Sequence, residues 1–110
     1  MIKKSEQLII VKIAITLRLL LARNKSSSQS NKEKENLVTS YEKIAINSSS
    51  DLTKATVNNA FSGKKRSAMT TIVLIVEAMG YKLCDFAEEY DKITNEEVNS
   101  FTREYNKGEN

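Results

Sequence analysis

The chain has 110 residues, with 17 Lys or Arg against 14 Asp or Glu and a net charge of +3, which is the length of one domain. It contains no His, no Pro, no Trp and a single Cys, Cys84, which excludes zinc sites, His-assisted nucleophilic catalysis and an intramolecular disulfide. With four Tyr and three Phe as its only aromatics, the core must be aliphatic, and without proline its elements run uninterrupted, so an all-α protein is expected.

The charge is divided. Residues 1–68 carry 13 basic and 5 acidic side chains, whereas residues 69–110 carry 4 basic and 9 acidic. A polyanion is the natural partner of the first part, and a basic protein of the second.

Residues 8–22 (LIIVKIAITLRLLLA) follow Lys3 and Lys4 in the manner of a secretory signal, but Lys12 and Arg18 cut the stretch into pieces too short to span a bilayer. Arg23, Asn24 and Lys25 come next, leaving no small-residue cleavage site, so neither membrane insertion nor export is expected and the cytoplasm is the expected location. Residues 1–25 instead predict a helix apolar around most of its circumference, which needs cover on more than one face. That cover is expected from a second copy, or from folding back over the fourth helix.

Residues 26–36 (SSSQSNKEKEN) read as a polar linker or loop, or in their second half as a helix start. Ser30 with Glu33 and Thr39 with Glu42 compete as capping boxes for the second helix. Its Leu37, Tyr41, Ile44 and Ala45 fall at helical spacing, and it ends by Asn47 or Ser48. After a break at 48–52, Thr53 is the expected N-cap of a helix over 54–61. Val57, Ala60 and Phe61 lie on one side of that helix, with Lys54, Ala55, Asn58 and Asn59 on the other. Ser62-Gly63 closes it in the left-handed conformation, and Lys64, Lys65 and Arg66 follow.

A fourth helix over 68–79 is apolar nearly all round and capped by Gly80. The fifth, 83–90, presents Leu83, Phe86, Ala87 and Tyr90, with Cys84 expected as a small, partly buried side chain. Thr94 and Glu97 open a charged amphipathic helix with Val98, Phe101 and Tyr105 at helical intervals, and the last residues, 106–110, are expected to fray.

Three blocks in this order carry a resemblance: YEKIA at 41–45, LTKATVNNAFSGKKR at 52–66, and MTTIVLIVEAMGYKLCDF at 69–86. Together they resemble the lambda-repressor-like (Cro/repressor, XRE) helix-turn-helix family. Ala45 stands at the small-residue position where the two motif helices cross. The connection 47–51 is about two residues longer than the family's and lacks its turn glycine, and the insertion 26–36 replaces a short turn. The resemblance implies a lambda-repressor-like bundle of about five helices plus a C-terminal amphipathic helix. It divides the chain into an N-terminal helix for core or dimerisation at 1–25, the linker at 26–36, a DNA-binding domain at 37–93, and an acidic helix with a frayed tail at 94–110.

A recognition helix enters the major groove by its N-terminal end. On that expectation Lys54, Ala55, Thr56, Asn58 and Asn59 are the base-contacting candidates: Lys54 toward guanine, the asparagines toward adenine, and Ala55 or the Thr56 methyl toward thymine. Tyr41, Thr53, Lys64, Lys65 and Arg66 are the phosphate-contacting candidates. The expected function is a sequence-specific transcriptional regulator, a repressor, acting as a homodimer on double-stranded DNA. The alternative is an antitoxin-like or adaptor protein that binds a toxin-like protein partner and autoregulates its operon. No catalytic residue, metal, cofactor, membrane or small-molecule ligand is indicated, and an enzyme has no supporting constellation.

Overall fold

A computed structural model describes residues 4–30, 38–48 and 52–108. Six helices and no strand occur among them: α1 Lys4–Ser30, α2 Tyr41–Asn47, α3 Lys54–Ser62, α4 Met69–Ala78, α5 Leu83–Lys92 and α6 Asn95–Gly108. The chain is therefore all-α. Leu37, residues 31–36 and residues 49–51 lie outside the described residues, as does the side chain of Tyr105.

The longest helix is the centre of the molecule. Ile10, Val11, Ala14, Leu17, Leu20 and Leu21 of α1 are buried, and α1 packs on α3, α5 and α6. Within the chain, α3, α5 and α6 rather than α4 give α1 most of its cover, while Leu8, Ile9 and Leu19 remain exposed. Thr16, fully buried, returns its hydroxyl to the Lys12 carbonyl at 2.7 Å, so no polar group is stranded at that level.

α1 also runs on through residues 26–30, which the polar composition had assigned to a linker. No Gly or Pro interrupts residues 24–30. The residue best suited to stop a helix there, Asn24, has its amide engaged elsewhere: Nδ2 donates to the carbonyls of Val38 at 2.8 Å and Met79 at 3.0 Å. A side chain committed to distant partners does not compete for its own helix backbone. Ser30 is accordingly a helical residue, and neither of the two capping boxes opens α2. Ser40 caps it instead, accepting from the Lys43 N–H at 3.1 Å.

The remaining boundaries follow local chemistry. Thr53 caps α3 by accepting from the Thr56 N–H at 3.1 Å, and Gly63 ends it at φ 74° and ψ 14°. Gly80 at φ 91° turns the chain after α4. Asp85 accepts from the Lys82 N–H at 2.8 Å at the start of α5. Thr94 and Glu97 exchange backbone-to-side-chain bonds, both 3.2 Å, ahead of α6, which is the reciprocal box the sequence predicted.

The core joins Leu17, Leu20 and Leu21 of α1 to Ile44, Val57, Phe61, Ile72, Ile75, Val76 and Phe86. On α5 only Phe86 is buried, and Leu83, Ala87 and Cys84 are exposed. The cysteine therefore lies on the surface rather than in the partly buried position expected of it, because α5 turns its 86 and 90 side inward. No helix among the described residues is long and apolar enough to cross a membrane.

Candidate functional site

α3 lies where Val57, Ala60 and Phe61 anchor it. All three are buried, and their spacing leaves the opposite side of the helix outside. Lys54, Ala55 and Asn58 are exposed there, while Thr56 and Asn59 are half-buried. The Thr53 and Thr56 hydroxyls lie 2.9 Å apart and share a hydrogen bond, so these two candidates act first on each other, as the cap.

Beyond Gly63 the turn is held by a relay. Ser62 Oγ donates to the Asn59 carbonyl at 2.8 Å and accepts from the Lys64 N–H at 3.2 Å. This places Lys64, Lys65 and Arg66 outside, all three exposed, directly after the helix whose outer side carries the base-contacting candidates. They are not equivalent. The Arg66 guanidinium pairs with the Glu6 carboxylate at the start of α1, and that pairing neutralises part of the basic turn. Sixty residues separate the two in sequence, and no local pattern foretells the pair.

Tyr41 stands apart from the other candidates. Its ring packs on Phe61 with centroids 4.5 Å apart and an interplanar angle of 37°, so the ring serves the α2–α3 junction, a contact type worth about 0.5–1.5 kcal/mol beyond burial.

Three more cations counted in the basic half are turned toward their own chain. Arg18 Nε donates to the Phe61 carbonyl at 2.8 Å, and its guanidinium lies 4.8 Å from the Phe101 ring centre. The Lys12 ammonium sits 4.3 Å over the Tyr90 ring. Arg23 pairs with Glu89 at 2.8 Å, and Lys92 stands 3.6 Å from the same carboxylate. The positive field of residues 1–68 is thus narrower than a count of residues suggests, and its exposed part includes Lys54, Lys64 and Lys65.

The groups whose acidity is shifted mark the seam between α1, α5 and residue 81, away from α3. The hydrogen bond from Arg23 holds the Glu89 carboxyl below its ordinary 4.5, and the same pairing raises Arg23. Burial pushes the hydroxyls of Tyr81 and Tyr90 up. Among the described residues no three His, Cys, Asp or Glu side chains are placed to hold a metal ion.

Set against protein-family models, curated proteins and solved structures, the chain matches none. The surface around α3 offers amide and ammonium donors on a short, rigidly anchored helix, with a cationic turn at its end. That combination suits hydrogen bonding to base edges and phosphates; nine of the ten candidates lie on α3, its cap and the turn after it, and Tyr41 stands at the start of α2, half-buried against Phe61.

Proposed function

We propose that the chain is a sequence-specific DNA-binding transcriptional regulator of the lambda-repressor-like kind, acting in the cytoplasm. In this reading α2 and α3 form the helix-turn-helix, and α3 enters the major groove by its N-terminal end. The observation that carries it is the division of α3: Val57, Ala60 and Phe61 fully or almost fully buried, Lys54, Ala55 and Asn58 outside, and exposed lysines immediately after the capping glycine.

Lys54 addresses guanine, Asn58 and Asn59 address adenine, and Ala55 packs on a thymine methyl. Lys64 and Lys65 fix the register on phosphate. Thr53 and Thr56 hold the helix start that meets the groove, and Arg66 steadies the turn through Glu6 while facing the backbone. One such module reads too few base pairs for useful specificity, so the protein acts as a homodimer on a two-fold symmetric operator.

Fluorescence anisotropy with duplex DNA over a salt series tests the reading. Binding whose logarithm falls linearly with the logarithm of salt supports it, and binding absent at low salt refutes it.

A further inference from the structure

Phe101 closes α6 onto α1, its ring standing against Gly63 and 4.8 Å from the Arg18 guanidinium. Earlier along both helices the angle between them stays open. A depression of about 640 Å³ lies there, between the start of α1 and α6. Leu8, Val11 and Val98 are its apolar lining, and Gln7, Asn95 and Asn99 stand among the polar residues around them. Val11 and Val98 are buried, but Leu8 and its neighbour Ile9 remain 39% and 48% exposed.

The polar groups around this apolar floor are mostly of one kind. Gln7, Asn95 and Asn99 carry carboxamides that are exposed and bonded to no other described residue. A carboxamide donates and accepts at once, so it can pair with a copy of itself. Lys4 is the one charged residue among the described lining, and at the first turn of α1 its flexible stem keeps the ammonium in water.

The adjoining side of α6 adds a charge pattern. Glu96, Asn99 and Arg103 recur at intervals of three and four, which places them on one side of the helix, and all three are exposed. Neither charge has a partner among the described residues. Glu96 and Arg103 stand about 10 Å apart along the axis, with Asn99 between them. Such a strip is complementary to itself when reversed: a second α6 laid antiparallel across it sets Glu96 against the partner's Arg103, and Arg103 against the partner's Glu96.

We propose that the depression and this strip of α6 form the surface on which a second copy of the chain docks, about a two-fold axis beside Asn99. The two depressions then face each other, and the rim of each, Leu8 included, fills the other. The carboxamides pair across the axis, and the Glu96 and Arg103 pairs close both ends. The inference rests on the homodimer of the reading above and names the surface that makes it.

Other occupants fit less well. Nucleic acid calls for a run of cations, and a bilayer for cations ringing the exposed apolar groups, whereas here one lysine stands among carboxamides. A partner protein of strong charge meets both signs on α6.

The test uses the full chain without DNA. Sedimentation is expected to show a reversible dimer, and dilution is expected to shift the amide resonances of Leu8, Asn95 and Asn99. Leu8→Glu, at an exposed position, is expected to weaken the dimer about tenfold or more. Glu96→Arg leaves only cations in the strip and Arg103→Glu only carboxylates, so each variant alone is expected to sediment as a monomer. Mixed in equal amounts, the two variants are expected to associate with each other, which a folding defect in either would prevent. The proposal is overturned by a chain that stays monomeric at its highest soluble concentration, by a mixture that does not associate, by a dimer that ignores all three substitutions, or by dilution shifts confined to other surfaces. A monomer whose Leu8 instead governs binding to phosphatidylglycerol vesicles or to a duplex overturns it by assigning the depression another occupant. A dimer of the expected kind that binds no duplex overturns the DNA reading alone.

Discussion

The Tyr81 hydroxyl and the Asn24 side-chain oxygen are joined at 2.9 Å across 57 residues of sequence. Asn24 is only 4% exposed, and its amide nitrogen also donates to the carbonyls of Val38 and Met79. One buried side chain therefore ties α1 to the entrance of α2 and to the turn after α4. Asn24→Ala leaves two carbonyls and a hydroxyl short of a partner, each such loss costing about 1–3 kcal/mol. A total of about 3 kcal/mol is expected, read as a lower urea midpoint at unchanged slope. A cost below about 1 kcal/mol contradicts this role.

Gly63 and Gly80 both hold positive φ, yet only one is crowded. A Cβ on Gly63 would stand 2.8 Å from a Phe101 ring carbon and 3.4 Å from the Ala14 Cβ, whereas one on Gly80 meets nothing within 4 Å. Gly80→Ala is expected to cost about 1–2 kcal/mol, the left-handed penalty alone. Gly63→Ala adds displacement of the Phe101 ring, and with it of the Arg18 guanidinium packed over that ring, for a total of about 2–4 kcal/mol. Thermal unfolding of the two variants side by side checks the order, and equal losses contradict it.

Much of this architecture was legible because local chemistry decides it. Thr53 and Gly63 bracket α3 by side-chain capping and left-handed geometry, and Val57, Ala60 and Phe61 identify its inner side by spacing alone. The end of α1 was not legible, because it depends on Asn24 reaching Val38 and Met79 instead of its own helix. Nor was the inward turn of Arg18, whose acceptor on Phe61 lies 43 residues away, or the pairing of Glu6 with Arg66. The contact of the Tyr41 ring with Phe61, 20 residues away, was not legible either. Long-range polar partners leave no periodic trace in a sequence.

Acid should loosen the α1–α5 seam. Arg23 holds the folded-state pKa of Glu89 below the ordinary 4.5. A depressed carboxyl stabilises the fold above its unfolded pKa, and that contribution is lost as pH falls through the folded value. Stability should therefore fall as pH drops below about 4.5, and Glu89→Gln should remove that part of the fall while lowering stability at pH 7. Denaturation midpoints from pH 7 to pH 3 measure both. An identical pH profile in the variant rules out the Glu89 contribution.

The basic turn should divide its labour. Lys64→Ala with Lys65→Ala is expected to weaken binding to all duplexes alike and to flatten the salt dependence by about one to two counterions. Arg66→Ala should cost less in DNA affinity and more in stability, because its guanidinium is paired with Glu6. Asn59→Ala should instead reduce discrimination at one base position by roughly 1–3 kcal/mol. Anisotropy titrations at several salt concentrations, with matched and mismatched duplexes, separate these effects. A Lys64/Lys65 double variant with the wild-type salt slope speaks against phosphate contact.

Selection of bound duplexes from a random pool measures whether α3 reads DNA sequence. One motif with two-fold symmetric half-sites about one helical turn apart is expected to be enriched, and Lys54→Ala, Asn58→Ala or Asn59→Ala is expected to relax that motif at single positions. A pool that stays random after repeated selection, or a motif unchanged by all three substitutions, rules out sequence reading by α3.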